Sequence, residues 1–114
     1  MNLNQIDLIV SDVKSSALLV SKLLNVDPDV LDDGFARVSI GATALMFSTT
    51  ALIPMQRAEG VILHFETVDV ELAAQNARAN GVEILLGPVT TDWGTTSVLV
   101  QGPEGIVLDF YRNA

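Results

Sequence analysis

The strongest constraint on this chain is that it spells one order of elements twice, 57 residues apart. Residues 4–10 alternate Ile6, Leu8 and Val10 with Gln5, Asp7 and Ile9, the period-two pattern of a strand. Ser11 or Asp12 then offers a short side-chain oxygen to cap a helix, which runs to about Asn25 with Val13, Ala17, Val20 and Leu24 on one face. Asp27-Pro28-Asp29 ends it, because the residue before a proline is pushed out of helical geometry. A short strand at Val30–Leu31, a turn at Asp32-Asp33-Gly34, and strands at Phe35–Ile40 and Thr43–Ser48 complete a β-α-β-β-β unit.

Residues 49–59 lose the alternation, contain Pro54 and read as a linker. The pattern then restarts. Val61–Thr67 is a strand, Asp69 is a cap, and Val70–Asn80 is a helix stopped by Gly81. Val82–Leu86, Ser97–Gln101 and Ile106–Tyr111 supply three more strands, the last two joined by Gly-Pro-Glu-Gly. Shifting the chain by 57 lays Asp12-Val13 on Asp69-Val70 and Ala17 on Ala74. Few identities accompany the shift, so the duplication lies in the order of elements and their caps. A ferredoxin-like domain is the other small α+β arrangement to weigh, but its elements alternate differently.

Composition narrows the function classes. The 114 residues suit one domain, and 49% apolar content suits a filled core built from aliphatic side chains, since aromatics make up only 5%. Six basic against 14 acidic residues give a net charge of −8 with no local basic cluster, so nucleic acid is not an expected partner. The same field attracts cationic small molecules, although its plain use is solubility. Without cysteine, disulfides and thiolate metal sites are excluded. MNLNQIDLIV does not read as a signal peptide, and no apolar run approaches the ~20 residues needed to span a bilayer; no membrane partner and a cytoplasmic location are expected.

Three stretches resemble the vicinal oxygen chelate superfamily, the glyoxalase, bleomycin-resistance and extradiol dioxygenase proteins. IDLIVSDVKSSALLVSKLLNV is similar to its opening strand and helix, LHFETVDVELAAQNARANGVEIL to the start of its second module, and WGTTSVLVQGPEGIVLDFYR to its closing hairpin. Gly102 stands where the family's closing turn usually has its first Asp. The resemblance spans nearly the whole chain. It implies an α+β fold: two βαβββ modules (about 1–50 and 60–114) whose sheets curl into a half-open cup with helices on the convex side. For a chain this short it also implies pairing into a homodimer.

The resemblance further implies up to four metal-ligand positions, one on the first and one on the last strand of each module. They fall on Gln5, Met46, Ile62 and Asp109. Gln and Asp are usable oxygen donors, Met is a poor ligand for a hard ion, and Ile is none. Two donors are too few for a stable site, so the inherited centre reads as dismantled and no cofactor is expected. The alternative is one divalent ion held by Gln5, Asp7, His64 and Asp109, because Asp7 and His64 lie one strand step from Gln5 and Ile62 on the same face. The chain's single histidine is otherwise a hydrogen-bonded partner of Asp7, or a general base with it.

Alternation places Gln5, Asp7, Ile9, Arg37, Ser39, Met46, Ile62, His64, Ser97, Leu99, Asp109 and Tyr111 on the concave face, with Phe35 and Trp93 at the rim. Apolar surface with a few polar groups is what a small-molecule pocket offers. Arg37 can grip a ligand carboxylate or pair with Asp7 or Asp109; Trp93 can stack on a flat ring or pack as a lid. Two functions follow from the resemblance: metal-free capture of a small organic ligand, as in the bleomycin-resistance branch, or metal-dependent lyase, isomerase or dioxygenase chemistry through Asp7, His64 and Asp109.

Overall fold

The computed structural model describes residues 1–57 and 59–113, which divide into two compact units, 1–59 and 60–114. In the first, strand β1 (Gln5–Ile9) leads into helix α1 (Val13–Leu24), followed by β2 (Val30–Leu31), β3 (Phe35–Ile40) and β4 (Thr43–Ser48). In the second, β5 (Ile62–Glu66) leads into α2 (Val70–Ala79), then β6 (Ile84–Thr90), β7 (Thr95–Gln101) and β8 (Val107–Asn113). The strand orders are β1-β4-β3-β2 and β5-β8-β7-β6. In both, the first strand pairs parallel with the last and the remaining pairs are antiparallel. Two open, mixed four-stranded sheets, each with one helix, make the fold α+β with two βαβββ modules.

The helices start where the sequence places a cap. The Asp12 carboxylate accepts from the Ser15 backbone N–H at 3.0 Å, and that of Asp69 accepts from Leu72 at 2.9 Å, each satisfying an amide that has no partner inside the helix. Asn25 ends α1 in the left-handed conformation, with its N–H turned back to the helix carbonyls. The buried stripe of α1 is Val13, Ala17, Val20 and Leu23, with Leu24 only half-buried: at the last turn the period favours Leu23.

Each core lies between a sheet and its own helix. Helix α1 packs on β3 and β4, where Ala36, Val38, Leu45 and Phe47 point inward with Leu8. Helix α2 packs on β6, β7 and β8, over Val98, Val100, Leu108 and Phe110. Phe65 stacks on Phe110 at 5.6 Å between ring centres. A strand's side chains alternate between its faces, so burying these residues commits Gln5, Asp7, Arg37, Ser39 and Met46 in one module, and Ile62, His64, Ser97, Asp109 and Tyr111 in the other, to the face opposite the helix.

One strand departs from expectation. The sequence pattern gives Val82–Leu86, whereas β6 runs from Ile84 to Thr90 through Gly87-Pro88. It is an edge strand, where the N–H that proline lacks is not needed by a further neighbour, and its pairing with β7 shifts register on either side of Leu86. Gly87, at φ +98°, comes so close to β7 that an added Cβ would stand 2.4 Å from the Ser97 carbonyl oxygen. β7 and β8 each also extend beyond the expected ends, to Thr95 and Asn113. Among the described residues no helix is long and apolar enough to cross a membrane.

Candidate functional site

On the open face of the second module, His64 and Asp109 sit directly opposite each other on the parallel strands β5 and β8. Register alone brings them together. Nδ1 of His64 lies 2.7 Å from Oδ2 of Asp109. The Asp109 side chain is buried, 8% exposed, while the His64 side chain is 59% exposed. The sequence offers Asp7 as the histidine's partner; the partner it has within its own module is Asp109, because the strand that pairs with β5 in register is β8. With Nδ1 committed, Nε2 is the ring nitrogen left to meet a ligand.

Around this pair is a pocket of about 230 Å³ lined by His64, Trp93, Thr95, Ser97, Asp109 and Tyr111. The alternation of β7 supplies Thr95 and Ser97, and that of β8 supplies Asp109 and Tyr111. Tyr111 meets the His64 ring edge to face, 6.3 Å between centres and 74° between planes. Trp93, 79% exposed, stands on the turn between β6 and β7. That turn is closed by the Thr91 N–H donating to the Thr95 carbonyl at 2.8 Å and by the two threonine hydroxyls at 2.7 Å. One atom stands out: Oδ1 of Asp109 is buried and has no hydrogen-bond partner among the described residues.

The corresponding positions of the first module are arranged differently. Met46 is the residue opposite Asp7, as Asp109 is opposite His64. Asp7 instead accepts from its strand neighbour Gln5, whose Nε2 lies 2.7 Å from Oδ1. Arg37 has its partner within its own module, and that partner is not Asp7: its Nε donates to Oδ2 of Asp29 at 3.2 Å, and the Ser39 hydroxyl donates to the same oxygen. The Ser39 hydrogen bond, with help from Arg37, holds the Asp29 carboxyl below the ordinary carboxylate range against a smaller opposing effect of desolvation. Asp29 and Thr95 were not among the expected site residues. Thr95 continues the Ser97, Leu99 alternation by one step, whereas Asp29 lies just outside a two-residue strand and leaves no periodic trace.

Ile62 is exposed at the start of β5 and Leu99 is half-buried opposite Asp109, on either side of the pocket's lining. Among the described residues, no three His, Asp or Glu side chains gather as a possible metal site. The module that has both an imidazole and a buried carboxylate has already joined them to each other.

Two mixed sheets of order first-last-third-second, each with a capped helix on one face and functional groups on the other, define a paired-βαβββ protein. A family model of the Glyoxalase/Bleomycin resistance protein/Dioxygenase superfamily matches residues 2–110, and the chain belongs to that superfamily. A solved structure described only as a conserved domain protein is 44% identical over the full length of both chains, with a TM-score of 0.92. A glyoxalase/bleomycin resistance protein/dioxygenase family enzyme from Burkholderia phytofirmans PsJN shares the fold at 13% identity, covering both chains fully with a TM-score of 0.84. TioX from Micromonospora sp. ML1 does so at 15% identity, again over both full chains, with a TM-score of 0.80. No curated protein matches the chain.

Proposed function

We propose that this protein captures a small organic ligand without a metal ion, in the manner of the bleomycin-resistance branch, and that the pocket at His64 and Asp109 is where it does so. One observation carries the reading. Where the superfamily resemblance calls for ligands, Met46 and Ile62 offer no donor to a hard ion, and Asp109 spends one carboxylate oxygen on His64 at 2.7 Å. The donors present do not fit a resident divalent ion. What remains is a small chamber with rings on its walls and a few fixed polar groups, which is the chemistry of a binding site. Protein purified without chelators is expected to carry no stoichiometric divalent ion in elemental analysis. One ion per chain would overturn the reading.

The His64–Asp109 geometry also supports a second reading, catalysis, in which the buried carboxylate orients the imidazole and Nε2 takes a proton from a bound substrate. Under it, His64→Ala abolishes turnover of that substrate with the fold intact, and undiminished turnover removes the idea. The three exposed apolar residues Leu52, Ile53 and Met55 between the modules support pairing of the chain with a second copy. Light scattering should then give twice the chain mass.

A further inference from the structure

The orphaned oxygen of Asp109 says what kind of molecule the pocket takes. Buried polar atoms are nearly always hydrogen-bonded, and a carboxylate oxygen left without a donor is costly. Oδ2 has His64; Oδ1 has nothing. Oδ1 is buried, so a ligand donor reaches it only when the carboxyl group turns about χ2, a soft rotation for an aspartate that lines the pocket. The missing partner is a donor, and none of the described residues provides it.

The rest of the lining narrows the class. No Lys or Arg is present; the hydroxyls of Thr95, Ser97 and Tyr111 can donate or accept. A ligand carboxylate or phosphate would meet the Asp109 charge with only His64 to offset it, on a protein of net charge −8. A cation meets the opposite: a buried carboxylate and the exposed indole of Trp93 in one lining, and the face of an indole attracts positive charge. A volume of about 230 Å³ is some seven or eight waters' worth, room for one ring or a fused pair.

We propose that the pocket takes a flat aromatic ring carrying a cationic N–H donor, an amidine or a protonated amino-heterocycle, stacked on Trp93 and hydrogen-bonded to Oδ1 of Asp109. The proposal rests on the pocket being a ligand site, and its test separates the two claims. Trp93 and His64 are the only residues of their kinds, so the indole and imidazole signals in a nitrogen-15 NMR spectrum of the full chain report on the pocket without ambiguity. Three probes of equal shape are titrated: benzamidine, benzamide and benzoate.

Benzamidine is expected to shift both signals and to bind about tenfold tighter than benzamide, with benzoate weakest. Asp109→Asn should bring benzamidine and benzamide within about twofold of each other, and Trp93→Ala should weaken both. Equal binding of benzamidine and benzamide, or a preference for benzoate, overturns the cationic class. The pocket itself survives that result provided Trp93→Ala still weakens the bound probe. If no probe moves the Trp93 or His64 signals, the pocket is not a ligand site and both claims fall. Should Asp109→Asn fail to fold, the ranking of the three probes on the unaltered chain still decides the class.

Discussion

The first and second modules have the same strand order, the same parallel pairing of first and last strand, and an Asp-capped helix at matching positions. Their open faces nevertheless do different chemistry. In the second module, opposite residues on the paired strands are His64 and Asp109, joined at 2.7 Å. In the first they are Asp7 and Met46, and each finds other company. The difference teaches that the helix-facing side of such a sheet is fixed by packing, while the other side is a set of addresses whose occupants change freely. An address does not carry its chemistry with it: a carboxylate opposite a histidine makes a hydrogen-bonded pair, and a carboxylate opposite a methionine does not.

If the helix-facing sides are equivalent, their cores should weigh alike. Phe47→Ala and Phe110→Ala remove fully or nearly fully buried rings from corresponding last strands, and each is expected to cost about 3–5 kcal/mol in urea denaturation. A much smaller loss from one of them would break the equivalence. The caps give a gentler version of the same test. Asp12→Ala and Asp69→Ala should each cost about 1 kcal/mol, since each frees one helix amide.

Transplanting the pair sharpens the contrast between open faces. Asp7→His with Met46→Asp places the second module's pair at the matching register of the first. A double-mutant cycle should show a favourable coupling of about 0.5–1 kcal/mol, and a coupling of zero would mean that register alone does not make the pair.

The smallest effect is in acid. Asp29 has its carboxyl pKa depressed in the folded chain, chiefly by Ser39, so its contribution is present above the unfolded carboxylate pKa and is lost as pH falls through the folded value. Ser39→Ala should flatten the loss of stability below about pH 4 relative to the unaltered chain. Glu71, depressed chiefly by its hydrogen bond from Arg112, should respond in the same direction to Arg112→Gln. Identical acid limbs for variant and parent would remove these groups from the account.

Much of this architecture was legible in the residues. Alternation in β3 and β4, the aspartates at 12 and 69 and the Asp-Pro-Asp break after the first helix are local signals, and the structure follows them. Residues that share a face were legible for the same reason. Which of them touch was not. Pairing across strands depends on register, and nothing in the local pattern says that β8 lies beside β5 so that His64 meets Asp109 and not Asp7. Arg37 illustrates the limit most sharply, because its partner Asp29 sits beyond a two-residue strand whose return path only the fold defines. The end of β6 was obscured by Gly87-Pro88, a dipeptide that ends most strands and is tolerated at this sheet edge.

Gly87 has one more consequence. Its backbone lies against the carbonyl of Ser97, a residue of the pocket wall, with no room for even a methyl group between them. Main chain abutting main chain acts as a fixed spacer: a side chain at position 87 would push β6 off β7 and shift the wall to which Ser97 belongs. Exchange of a lining side chain, such as the ring at 93, the hydroxyl at 95 or the phenol at 111, would alter the chamber without touching that backbone contact.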